Sequence, residues 1–141
     1  RRTQLVSVLQ ELLRSICRYQ GPDGRWYQVV DKVGKAGNWP ENSCTCLFAA
    51  ALYKAVRKGY LDQEYLMAAD RGFDGVVRSL TSEEGDLLLG GVCIGTGVGD
   101  YPFYCARPVH TNDLHGMGAF LLMCTEKERL RRSDTGSSCR P

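Results

Sequence analysis

A chain of 141 residues is one ordinary domain, long enough to bury a core. Hydrophobic residues at 43% and charged residues at 24% exclude a disordered tail, a collagen-like repeat and a polyelectrolyte. Lys and Arg number 18 against 16 for Asp and Glu, and a formal charge of +2 gives no whole-chain field for nucleic acid or an anionic membrane.

Leu5, Val8, Leu9, Leu12, Leu13, Ile16 and Cys17 recur at three- and four-residue spacings opposite Gln10, Glu11, Arg14 and Arg18. This pattern predicts an amphipathic helix over about residues 3–20. Gly21-Pro22-Asp23-Gly24 stops it, and Arg25 to Val30 has the aromatic and β-branched content of a short strand. Glu41, Asn42 and Ser43 then supply helix-start chemistry. From Cys44 to Val56 almost every residue is small or apolar, which predicts a helix buried all round.

Arg57-Lys58-Gly59 ends that helix, and Asp62 is expected to cap a third, amphipathic one reaching Leu80. Residues 81–113 carry six of the 16 glycines together with Pro102 and Pro108, so a long loop is expected there. Leu114 to Glu126 returns to a near-continuous apolar run, a fourth helix expected to be buried. Residues 127–141 turn charged and then rich in Ser and Gly, and are expected to form a flexible tail.

Exposed and buried helices therefore alternate, and short turns make neighbours antiparallel. Both long loops should emerge at one end, each just before a buried helix. Two exposed helices cannot surround two buried ones, so the expected architecture is all-α: about four helices of an inner and outer ring that further sequence completes. The chain also opens without a starting Met, on Arg1-Arg2-Thr3.

The loops hold the candidate chemistry. Trp26 offers a flat face for stacking on a sugar, or else plugs the helix ends. Glu41 can orient a substrate hydroxyl, or else serves the helix dipole. Asn112, Asp113 and His115 place amide, carboxylate and imidazole within four residues at a helix mouth, with capping and a structural histidine as the alternatives. His110 stands unassigned. Gly95-Thr96-Gly97-Val98-Gly99 lacks the Lys-Ser/Thr of a phosphate loop, and Pro102 occupies the place of a dinucleotide motif's third glycine. No nucleophile context accompanies either His. Seven cysteines without a C-x-x-C pair read as reduced thiols of a cytoplasmic protein. No metal or cofactor is called for, and no run nears the roughly 18 apolar residues of a membrane span.

Taken together, Arg25-Trp26-Tyr27-Gln28-Val29-Val30-Asp31, Glu41-Asn42-Ser43-Cys44, Gly91-Val92-Cys93-Ile94-Gly95-Thr96-Gly97-Val98-Gly99 and Asn112-Asp113-Leu114-His115-Gly116-Met117-Gly118-Ala119-Phe120-Leu121-Leu122 resemble the unsaturated rhamnogalacturonyl hydrolases, glycoside hydrolase family 105. The resemblance covers about residues 5–126 and looks like the C-terminal part of that enzyme. It implies an incomplete (α/α)6 barrel segment over residues 1–126, with the N-terminal part of the same domain as its partner. It further implies removal of the unsaturated uronic acid from the non-reducing end of pectin oligosaccharides, by hydration of a vinyl ether with an Asp as general acid. The family's catalytic Asp residues, and its Trp and Arg clamp, belong to earlier motifs without a counterpart here, so no catalytic residue is carried over. Trp26, Glu41, Asn112, Asp113 and His115 remain as substrate-binding candidates. The competing expectations are a noncatalytic helical binding module and an inactive remnant.

Overall fold

The computed structural model describes residues 1–136, with side-chain surroundings through Ser133. Five α-helices are set among long loops: α1 (Arg2–Arg18), α2 (Asn42–Arg57), α3 (Leu66–Ser79), α4 (Tyr101–Cys105) and α5 (Leu114–Gly136). A 3-10 turn at Gln63–Tyr65 leads into α3. Asp62 stands at its head without a side-chain capping bond, so the expected cap is not made. Gly59 takes φ +68, the left-handed backbone that lets the chain leave α2.

The core forms where α2 lies between α3 and α5. Cys46, Ala49, Leu52, Tyr53 and Ala55 of α2 meet Ala69 and Val76 of α3 and Ala119 and Met123 of α5, all buried. The Tyr53 hydroxyl donates to Asp70 Oδ1 at 2.7 Å and accepts from Lys127 Nζ at 2.9 Å, and Lys127 also pairs with Asp70. Glu126 is buried and bonded by Arg57 at 2.6 Å and Arg129 at 2.9 Å. Burial alone would push its carboxyl up; the two guanidiniums outweigh that and hold it below the ordinary range.

The C-terminal helix continues to Gly136 instead of giving way to a tail after Glu126. Leu130 is buried, and Glu128 is bridged by Arg131 and Arg132 at helical spacing, so charged composition here marks a solvated helix face. Residues 137–141 of the expected tail lie outside the described residues.

Neither apolar helix is buried all round. Leu47 of α2 and Leu114, Leu121 and Leu122 of α5 are open to solvent, Leu114 at 85% exposure, as are Leu5, Val8 and Leu12 of α1. Apolar periodicity specifies a surface that wants cover, and in this chain one side of that surface is uncovered.

The strand expected over 25–30 reduces to a single bridge between Tyr27 and Pro40. Trp26 turns into the core there, and Asn38 takes up the Val29 amide and carbonyl, so no partner strand can pair. In 81–113 the chain is more ordered than its glycines suggest. β1 (Thr81–Glu83) and β2 (Asp86–Leu88) form a hairpin, and β3 (Val92–Cys93) pairs antiparallel with β4 (Val109–His110), placing Val92 opposite His110 and Cys93 opposite Val109. The two long loops do meet: Trp39 Nε1 donates to the Cys105 carbonyl at 3.1 Å, and the Tyr101 hydroxyl lies 3.0 Å from the Ala36 carbonyl.

Candidate functional site

The β3–β4 ribbon runs past the N-termini of both α2 and α5. Gly91 makes the first join, where its carbonyl accepts from Asn42 N at 2.8 Å. Gly116 makes the second, because a Cβ there would stand 2.4 Å from Val92 Cγ2, so only glycine lets α5 approach the ribbon this closely. Between these joins lies an open cleft of about 460 Å³. Leu47, Ala119 and Leu122 give it an apolar wall, Ser43, Cys93 and His115 its polar groups, and Gly95 and Gly118 its bare backbone. An apolar wall with few polar groups suits the C–H face of a sugar whose hydroxyls are read individually.

His115 is the most exposed polar group of the cleft, with 76% of its side chain open. Asp113 accepts from the His115 backbone N–H at 3.0 Å and lies 2.7 Å from Nδ1. One carboxylate thus caps α5 and fixes the ring, and a proton on Nδ1 leaves Nε2 to address a ligand. The Asp113 carboxyl is held below its ordinary value, first by the His115 backbone N–H and then by the ring.

The other sequence candidates fall elsewhere. Trp26 is a core residue with 0% exposure; its Nε1 donates to the Ile16 carbonyl at 2.8 Å and its ring meets Phe48 edge-on at 5.5 Å. The expectation of an open stacking face is corrected, since the indole needs that packing to close the joint between α1, α2 and the first loop. Glu41, at 3% exposure, accepts from Ser43 N, Cys44 N, Ser43 Oγ and Cys93 N, tying the head of α2 to β3. Its carboxylate braces the cleft from behind. Asn112 takes φ +54, and its Oδ1 accepts from Leu89 N at 2.8 Å, so it pins the end of the hairpin and does not cap α5. His110 is exposed on β4, and its charge lowers Asp113 further.

Ser43, Cys93 and Gly95 join the cleft unforeseen as site residues, although the sequence motifs contain all three. Their common location depends on the β3–β4 pairing, which two-residue strands leave no periodicity to reveal. Burial pushes the Cys46 thiol up to about 12 and the Cys44 thiol well above its ordinary value, so both are inert. Among the described residues no group of three His, Cys, Asp or Glu is placed to hold a metal, and no helix is long and apolar enough to cross a membrane.

An alternating helical segment whose glycine-bearing loops gather at one end, with apolar helix faces left uncovered, is the architecture of part of a helical toroid. Residues 1–131 match the model of Glycosyl Hydrolase Family 88, and the chain belongs to that family. Its fold is an (α/α)6 barrel segment of the GH105 type. A Clostridium acetobutylicum glycoside hydrolase from family 105 superposes with a TM-score of 0.85 at 28% identity, over 91% of this chain and 38% of its own. A possible GH105 member from Salmonella enterica serovar Paratyphi A gives 0.80 at 32%, over 94% and 33%. Protein Atu3128 of Agrobacterium fabrum is 31% identical over 92% of this chain. The chain spans 62% of that relative's length.

Proposed function

We propose that this chain forms the C-terminal rim of a glycoside hydrolase that removes the unsaturated uronic acid from the non-reducing end of pectin-derived rhamnogalacturonan oligosaccharides. The observation that carries this reading is the His115–Asp113 pair presented beside an apolar, sugar-sized wall in a chain of this family. The reaction protonates the ring double bond, adds water at the neighbouring carbon and opens the resulting hemiketal to release the remaining sugar. Its general acid must be protonated near neutral pH. Asp113 is held in the opposite direction. The resemblance to family 105 places the catalytic Asp residues in earlier motifs without a counterpart in this chain, so this reading takes the acid from outside these 141 residues. The rest of the same domain supplies it and covers Leu47, Leu114, Leu121 and Leu122. His115 binds and orients the sugar, with Ser43 and Cys93 beside it. Six free cysteines among the described residues support a cytoplasmic setting.

The purified chain, mixed with unsaturated galacturonyl-rhamnose, should leave the ultraviolet absorbance of the conjugated double bond unchanged. The amide NMR signals of Cys93, Gly95 and His115 should nevertheless shift as saccharide is added, and the His115→Ala variant should lose those shifts while keeping its fold. Turnover by the chain alone overturns the placement of the acid, and unmoved amides overturn the cleft.

A further inference from the structure

Ser43 lines the cleft with its proton already committed. Its Oγ donates to Glu41, 2.8 Å from Oε1 and 2.9 Å from Oε2. Glu41 also gathers the backbone N–H groups of Ser43, Cys44 and Cys93, and a carboxylate accepting all of these has no proton to return. Among the described residues no group donates to Ser43 Oγ. The hydroxyl therefore turns only lone pairs to the cleft, and the buried carboxylate behind it makes them better acceptors.

The neighbouring groups leave this task to Ser43. Cys93 gives its amide to Glu41, and its Sγ donates weakly to the Gly95 carbonyl at 3.4 Å. That carbonyl also accepts from Arg107 Nε at 2.9 Å, so its own acceptor capacity is taken.

Charge decides which sugar sits here. Among the described residues no Lys or Arg lines the cleft, while carboxylates stand behind two of its polar groups, Glu41 behind Ser43 and Asp113 behind His115. A uronate gains no cationic partner on these walls and meets like charge. A neutral sugar meets neither penalty, and the methyl group of a rhamnose suits Leu47, Ala119 and Leu122.

We infer that Ser43 is a specificity-determining residue whose Oγ accepts a hydrogen bond from a ring hydroxyl of the neutral sugar, the rhamnose next to the unsaturated uronate. This rests on the rim reading above and gives the cleft to the sugar that the reaction releases. Fluorine in place of that hydroxyl keeps its size and polarity but removes the proton, so one lone pair faces another. Binding should then weaken about tenfold, the worth of one hydrogen bond whose acceptor is left unpaired.

The test is NMR titration of the 141-residue chain with unsaturated galacturonyl-rhamnose and with analogues in which single hydroxyls of either sugar are replaced by fluorine. One rhamnose analogue should bind about tenfold more weakly than the parent. Ser43→Ala should bind the parent at that weaker affinity and no longer distinguish the two, whereas Ser43→Thr keeps the oxygen and should keep the preference. The assignment to Ser43 is overturned, and the rim reading left standing, if every rhamnose analogue matches the parent, if the preference survives in Ser43→Ala, or if the sensitivity that Ser43→Ala abolishes lies on the uronate. Absence of binding by the parent saccharide sinks both. If Ser43→Ala does not fold, Ser43→Cys takes its place, because a thiol accepts poorly, and a preference that survives there overturns the assignment.

Discussion

At the head of α2 an acidic side chain is consumed by its own fold, whereas at the head of α5 an acidic side chain holds a second group out toward solvent. Glu41 and Asp113 both accept backbone N–H bonds at helix starts. Glu41 spends its remaining capacity on Ser43 Oγ and on the amide of Cys93, and is buried. Asp113 spends its own on an exposed imidazole. The same capping chemistry serves as a brace in one place and as an aiming device in the other, and only the neighbours decide which.

Glu41→Ala should have the largest effect, because it leaves the amides of Ser43, Cys44 and Cys93 without their acceptor at the junction of α2 and β3. A loss of about 3 kcal/mol is expected, made of a lost cap and unsatisfied buried donors. Urea unfolding measures it. A loss below about 1 kcal/mol, the worth of an ordinary cap, would erase the contrast with Asp113.

The next experiment uses two glycines on α5. Gly116→Ala drives a methyl into Val92 Cγ2 and should cost about 2 kcal/mol, relieved by adding Val92→Ala. Gly118→Ala meets nothing within 4 Å and should add about 0.5 kcal/mol through helix propensity while narrowing the cleft that Gly118 lines. Equal thermal shifts for the two variants would mean that α5 does not press on the ribbon at its head.

Much of the scaffold is legible in the sequence, and the reason is periodicity. Three- and four-residue spacings place α1, α2 and α3 to within a few residues, and the alternation of apolar and amphipathic helices points to a ring with faces awaiting cover. The Gln63–Tyr65 turn, α4 and the two-residue strands escape because they are shorter than any repeat that composition could display. α5 is misjudged at its end because a charged run is read as solvated chain when it is a solvated helix face with Leu130 turned inward. At the site, Asp113 and His115 are found together because their contact is local. Trp26 is misplaced because its residue type fits a core as well as a sugar, and its partners Ile16 and Phe48 lie on different helices. Cys93 and Gly95 reach the cleft only through long-range pairing.

The smallest effect concerns Asp113 and separates aiming from bracing by pH. In the fold its carboxyl sits below the ordinary value, first because the His115 amide donates to it and then because the ring does. The ionised form is therefore the one the native state favours. The stability gained is complete above the unfolded value near 3.9 and is lost as pH falls through the lower folded value. Asp113→Asn keeps an acceptor for the amide but cannot ionise, so its unfolding free energy should fall less steeply than the wild type's in that acid window. Glu126, Glu128 and Asp31 are also depressed and titrate nearby, which is why the informative quantity is the difference between the two proteins. The His115 ring signals should move with the Asp113 titration in the wild type and stay still in the variant. A wild-type ring that ignores the acid limb would show that the carboxylate only caps α5, and would leave His115 unaimed.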